Sequence, residues 1–243
     1  MLLSVLLGTD PPRLPTQLLV RTTELFGIAE GTTRTALSRM AAAGEVRAIG
    51  GAYELAASRL IERQRRQSAS RAARTGAWRG RRWLQAVVTA DGRRPAAERA
   101  ALRSALGTAR LAELREGVWL RPDNLGAPPE VGPGVGWFRS VPDGEDAALA
   151  AGLWDLGGWA SDAASLRRRM DTLLPRLHAG DRRALAKGFV VSAAVLRHFQ
   201  ADPLLPPALL PSRWPGDDLR ADYERYDAAY RAVLGNWFRE HGP

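Results

Sequence analysis

The sequence predicts an α+β chain, mainly α. It reads as an N-terminal winged helix-turn-helix, a middle ferredoxin-like α+β module and a C-terminal helical domain. Three observations carry this. Phe26–Gly44 (FGIAEGTTRTALSRMAAAG) reads as a turn and a short amphipathic helix, set between an earlier helix and a β-hairpin. Residues 81–142 switch to β-branched and aromatic runs around one helix. Residues 145–243 return to helical spacing, interrupted by one proline-rich stretch.

In chain order, Met1–Gly8 (MLLSVLLG) is apolar but too short for a signal peptide, with no basic start and no small-residue cleavage site. It reads as a first helix stopped by Asp10-Pro11-Pro12. Pro15–Phe26 repeats apolar positions at Leu18, Leu19, Thr22, Leu25 and Phe26, a second helix ending before Gly27. A third helix is placed at Glu30–Ala43. At 3.6 residues per turn, Thr33, Ala36, Leu37, Met40 and Ala41 share one side, small and apolar enough to pack on neighbouring helices. Thr32, Arg34, Thr35, Ser38, Arg39 and Ala42 share the other. A helix lying in a DNA major groove needs that second set: arginine for guanine edges or phosphates, hydroxyls for either, and no bulky apolar group. Gly44 terminates the helix. Glu45–Ala56 gives two short strands around the hairpin dipeptide Gly50-Gly51, with Arg47 on the wing placed to touch phosphate or the minor groove. An ordinary surface helix would explain the spacing alone; the flanking helix and hairpin favour DNA binding.

Charge points the same way. Residues 1–80 hold 12 basic and 6 acidic residues, 81–144 hold 10 and 7, and 145–243 hold 13 and 13. The positive excess sits with the candidate DNA-binding unit, where it would steer the chain to a polyanion and supply non-specific affinity by counterion release; a merely solvated basic surface would not predict this gradient. All the basic residues but Lys187 are arginine, a skew that a GC-rich genome would also produce.

Residues 57–80 carry Arg59, Arg63, Arg65, Arg66, Arg71 and Arg74 with little apolar stripe: a polar helix and a linker, able to lie along DNA or to serve as a solvated connector. Arg82–Thr89 is a strand, Pro95–Gly107 a helix with Pro at its start and Gly at its end, Leu114–Arg121 a second strand region and Trp137–Val141 a third. Strand, helix, strand, loop, strand suggests the ferredoxin-like module. Further on, helices are read at Glu145–Leu156, broken by Gly157-Gly158, and at Ser161–Leu174, with Pro175 just beyond. Two more are read at Asp181–Gln200 and Asp217–Glu240. Five prolines within Asp202–Gly216 make a stiff, extended wrap.

These residues also carry a resemblance. Gly27-Ile28-Ala29-Glu30, then Arg34-Thr35-Ala36-Leu37-Ser38-Arg39-Met40 and Gly44, resemble the N-terminal signature of the PaaX family of bacterial repressors, with Thr33 where the family usually has the nearly isosteric Val. Gly117-Val118-Trp119-Leu120-Arg121-Pro122 is similar to the family's middle strand, in a module that resembles the small CRISPR-associated nuclease fold. Asp202-Pro203, Leu205-Pro206, Leu209-Leu210-Pro211 and Trp214-Pro215-Gly216 resemble its second signature. The resemblance implies a homodimeric repressor of an aromatic-acid catabolic operon, released from its inverted-repeat DNA operator by an acyl-CoA effector such as phenylacetyl-CoA.

Trp154, Trp159, Arg167, Arg168, Arg182 and Arg183 have the chemistry such an effector needs, an apolar slot for a ring and cations for phosphates; core tryptophans and solvated arginines would look the same. No catalytic residue, metal or cofactor is expected. The chain has no Cys, and His178, His198 and His241 lack zinc spacing. Asp91, just after the first strand of the middle module, resembles a nuclease metal ligand, but metal-dependent hydrolysis normally needs several convergent carboxylates and Asp91 has no companion. No run approaches the roughly 20 apolar residues that cross a bilayer, so a soluble, cytoplasmic protein is expected. The expected division is 1–56 for DNA binding, 57–80 as linker, 81–144 for dimerisation and 145–243 for core and effector. Two other classes are a metal-dependent nucleic-acid enzyme built on the middle module and a protein-interaction adaptor that no longer binds DNA.

Overall fold

The computed structural model describes residues 1–9, 11–56, 58–72, 74–89, 95–131 and 133–241; Asp10 and Asp91 lie outside these, as do the side chains of Arg59, Arg63, Arg66 and His241. The architecture is mixed α+β, mainly helical, with two small sheets. Two compact units form. One gathers residues 1–72, 163–199 and 218–243, the other 73–162 and 200–217, so the stretch 145–243 is shared between them.

The first unit starts with α1 (Leu2–Leu7), β1 (Arg13–Pro15), α2 (Thr16–Glu24), α3 (Glu30–Ala42), β2 (Val46–Ile49), β3 (Ala52–Leu55) and α4 (Ser58–Ser70). Leu6, Leu19, Leu37 and Leu55 are fully buried in one cluster, joined by Val46 and Leu60. The sheet is antiparallel in the order β1-β3-β2. The prolines at 11, 12 and 15 masked β1 in the sequence. It is an edge strand, where a missing N–H removes no ladder bond.

In the second unit, β4 (Trp83–Val88), α5 (Ala96–Thr108), β5 (Ala112–Arg115), β6 (Val118–Pro122) and β7 (Val135–Ser140) form an antiparallel sheet in the order β5-β6-β4-β7. The single strand region expected at Leu114–Arg121 is instead a hairpin. Its chain reverses at Glu116-Gly117, with Gly117 at φ +77°. Alternation along β4 and β6 buries both faces. Trp83 and Leu120 pack with Leu156, Leu205 and Leu209, whereas Ala86 and Trp119 pack with Leu106 and Leu111. Buried Asp146 opens α6 (Asp146–Leu153), accepts a bond from Trp83 Nε1 at 2.8 Å and pairs with Arg81. The helix break expected at Gly157-Gly158 falls earlier, at Trp154-Asp155. Asp155 Oδ1 accepts from Gly158 N at 2.8 Å, so the glycines lie in the first turn of the next helix.

That helix, α7 (Leu156–His178), runs through Pro175 rather than stopping at 174. An interior proline costs about 3 kcal/mol. The last turn buries Leu173 and Leu177, each worth about 1.5–3 kcal/mol, so burial wins. After a 3₁₀ turn at Arg182–Ala184, capped by Asp181, come α8 (Leu185–Ala201) and α9 (Gly216–His241). The proline-rich stretch between them is extended except for a 3₁₀ turn at Pro207–Leu209. Residues 163–199 and 218–241 of these helices belong to the first unit. Within it Tyr226 donates to the Gly188 carbonyl at 3.0 Å, and a Cβ on Gly188 would lie 2.9 Å from the Tyr230 ring. Phe189 of α8 meets Phe26 edge to face at 5.3 Å.

Buried Asp227 of α9 gathers the charges of this unit. It accepts from Arg71, which follows α4, from Arg231 at 2.8 Å and from the Tyr223 hydroxyl at 3.5 Å. The Arg71 guanidinium also lies 5.1 Å from the centre of the Tyr223 ring. Burial works against the charge of Arg71, but the hydrogen bond and field of Asp227 more than offset it and hold its pKa above the usual value.

Two predictions follow from this cluster. Asp227→Ala leaves Arg71 without its counter-charge; with both arginines partly exposed and screened, the loss should be ~1–3 kcal/mol in urea unfolding. Burial, reinforced by the negative charge of Asp227, pushes the Tyr223 hydroxyl up to about 12, and burial also raises Tyr226 and Tyr230. Folding thus favours the neutral phenols. Their contribution should be complete below pH ~10, the unfolded value, and fall away as pH rises through about 12. Tyrosinate absorbance and circular dichroism should therefore change together over that window.

Candidate nucleic-acid interface

The helix pair α2–α3 owes its turn to two glycines. After α2, Ile28 N donates to Thr23 O and Gly27 N to Glu24 O; after α3, Glu45 N donates to Met40 O and Gly44 N to Ala41 O. Both are the paired bonds of a left-handed helix terminus, and Gly27 (φ +72°) and Gly44 (φ +67°) take the conformation that a Cβ would oppose. α3 then presents the two faces its sequence implied. Thr33 and Leu37 are buried against α2 and the sheet, with Ala36, Met40 and Ala41 partly so. Thr32, Arg34, Thr35, Ser38 and Arg39 are all exposed along the opposite face.

Within α3, the Thr35 hydroxyl donates to Gly31 O at 2.9 Å, and Arg34 pairs with Glu30 at 2.7 Å. Both partners of that pair are more than half exposed. Such surface pairs are worth about 0–1 kcal/mol, so Arg34 is held in place but is free to exchange Glu30 for a stronger acceptor. Arg47 projects from β2, 65% exposed, with Glu54 at 3.6 Å. A cleft of about 610 Å³ runs between α2, the start of α3 and the hairpin tip, lined by Thr16, Gln17, Arg21, Glu24, Arg34 and Gly51.

The helix pair is fixed at its centre by two buried hydroxyls. Thr23 Oγ1 lies 2.6 Å from Thr33 Oγ1 and donates to Val20 O at 2.6 Å. Thr33, the departure from the family's usual valine, therefore has a partner on the facing helix.

Sequence reasoning missed Arg13. It sits in β1 beside the hairpin, its Nη2 donating to Ile49 O at 3.3 Å. The pairing of β1 with β3 that brings it there crosses some forty positions, and no local pattern signals it.

The six residues set out for an effector are divided. Trp154 stacks with Trp83 at 6.4 Å and buried Trp159 with Trp214 at 4.5 Å, in the second unit. In the first, Arg167 pairs with Asp222 and Asp218 and Arg182 with Glu240, while Arg168 and Arg183 are exposed. Among the described residues no group of three or more His, Asp or Glu side chains is arranged to hold a metal, and no helix is long and apolar enough to cross a membrane.

Residues 1–59 match the family described as PaaX-like protein, and residues 154–240 match the PaaX-like protein C-terminal domain. No curated protein matches the chain. Among solved structures the chain is similar to uncharacterized protein Rv0674 from Mycobacterium tuberculosis, with 40% identity and a TM-score of 0.73 over 95% of this chain and 94% of that one.

The hydroxyl pair can be tested by a double-mutant cycle. Thr33→Val removes one hydroxyl and leaves Thr23 bonded only to Val20; the expected cost is ~0.5–1.5 kcal/mol. Thr23→Val with Thr33→Val removes both groups and should be less destabilising than the sum of the single changes, measured by urea unfolding.

Proposed function

This chain belongs to the PaaX-like family, a family of transcription regulators, and from that premise we propose that it is a DNA-binding repressor of an aromatic-acid catabolic operon. The observation that carries the reading is α3. Its polar face is exposed from end to end, its apolar face is buried, and a β-hairpin follows it immediately. The order α2, turn, α3, β2, β3 supports a winged helix-turn-helix. The antiparallel order β5-β6-β4-β7 around α5 supports a ferredoxin-like middle module, which serves for dimerisation.

On this reading Arg34 and Arg39 take guanine edges or phosphates, and Thr32, Thr35 and Ser38 hydrogen-bond bases or backbone. A two-fold dimer matches an inverted-repeat operator whose half-sites are spaced by whole helical turns. An acyl-CoA such as phenylacetyl-CoA releases it by favouring a dimer whose recognition helices no longer match that spacing. Of the six residues expected for that effector, Arg168 and Arg183, exposed in the first unit, are the cations open to its phosphates, while Trp154 and Trp159 supply ring surface within the second.

Gel-shift titration against the DNA upstream of its own gene, at 50 and 200 mM salt with and without phenylacetyl-CoA, tests the reading. Sequence-specific binding with a steep salt dependence, reversed by the thioester, is expected. Arg34→Ala should cost ~1–3 kcal/mol of operator affinity; unchanged affinity removes Arg34 from the interface. Specific binding that ignores the thioester overturns the effector class but keeps the repressor. No specific shift at either salt overturns the repressor in favour of an adaptor.

A further inference from the structure

Because the hairpin tip is Gly50-Gly51, with no side chain beyond hydrogen at either position, any charge there has to come from elsewhere. The register of the three-stranded sheet shows where. Arg13 of β1 and Arg47 of β2 both stand opposite Glu54 of β3, so Arg13, Glu54 and Arg47 form one row across a single face. The two arginines then part. Arg47 stays with the row, its Nη2 3.6 Å from the Glu54 carboxylate. Arg13 runs along the strand to the tip, where its Nη2 donates to Ile49 O at 3.3 Å and lies 3.7 Å from where a Cβ on Gly50 would stand.

The tip is held as firmly as the arginine. Gly51 O accepts from both the backbone N and the hydroxyl of Thr16, at 2.9 and 2.8 Å, and Leu55 N donates to Pro12 O at 3.1 Å. A guanidinium carries five N–H donors in a rigid fork. The bond to Ile49 engages one nitrogen of an otherwise exposed side chain.

Resting on the winged-helix reading above, we infer that Arg13, not Arg47, is the cation that the wing sets against the DNA backbone, and that its ligand is a phosphate oxygen beside the groove occupied by α3. A side-chain-free turn lets the backbone approach a strand closely, and the fork pinned to its last carbonyl meets the phosphate first. Arg47 stays beside the Glu54 carboxylate, whereas the Arg13 guanidinium lies at the tip itself. Arg13 thereby fixes register and orientation on the duplex rather than sequence.

The test uses the full chain, a duplex from its own upstream DNA and an unrelated duplex of equal length, titrated by fluorescence anisotropy between 50 and 200 mM salt. Arg13→Gln keeps a donor for Ile49 and removes the charge. It should weaken binding about tenfold on both duplexes and lower the salt slope by about one. Arg13→Lys keeps the charge and should keep the slope; if the glutamine variant does not fold, Arg13→Met, neutral and of similar length, takes its place with the same expected loss. Arg47→Gln should change both quantities less. The proposal is overturned if wild-type protein binds and Arg13→Gln leaves the slope unchanged. A loss confined to one sequence, or a larger effect at Arg47, also overturns it. If the wild-type protein binds neither duplex, the DNA-binding reading itself fails.

Discussion

One carboxylate ties the ends of the first unit together. Asp227 stands on α9, deep in the C-terminal sequence, and its partner Arg71 closes the segment that begins at residue 1. Removing a carboxylate from water is costly unless several donors replace the lost hydration. Arg71, Arg231 and Tyr223 supply them, and Arg71 gains the Tyr223 ring as well. Apolar burial is indifferent to small slips of one helix on another, whereas such a charged cluster is satisfied in only one arrangement. A unit assembled from three separate stretches of chain is therefore fixed by chemistry as well as by volume.

The same economy governs the helix pair. Everything that holds α3 in place lies on its inner side: Leu37 in the leucine cluster, Thr33 against Thr23, and glycine termini on both helices. The outer residues have almost no structural duty. Arg34 and Thr35 make only local bonds within the helix, of the kind a ligand can replace at little cost. A surface relieved of folding work is one that can be spent on recognition.

How much of this was legible in the sequence depended on the range of the interaction. The two faces of α3, the Gly50-Gly51 hairpin and the strand–helix–strand start of the middle module rest on periodicity and turn chemistry within a few residues, and they could be read directly. Tertiary burial overrode local signals elsewhere. Pro175 reads as a stop, yet Leu173 and Leu177 carry α7 past it. Gly157-Gly158 read as a break for a local reason instead: the glycine pair hid the cap that the Asp155 side chain makes on Gly158. Leu114–Arg121 looked like one strand because its turn takes only Glu116-Gly117 between two strands of four and five residues. At the site, α3 was visible and Arg13 was not, because strand pairing across some forty positions leaves no local trace.

The edge-to-face contact of Phe26 with Phe189 has a mechanical consequence. Phe26 closes α2 at the turn before α3, and Phe189 rides on α8, so the N-terminal helix pair and a C-terminal helix belong to one compact unit. Both rings are half-buried, and edge-to-face pairs tolerate some change of tilt. The C-terminal helix α8 thus bears directly on the turn that sets the direction of α3.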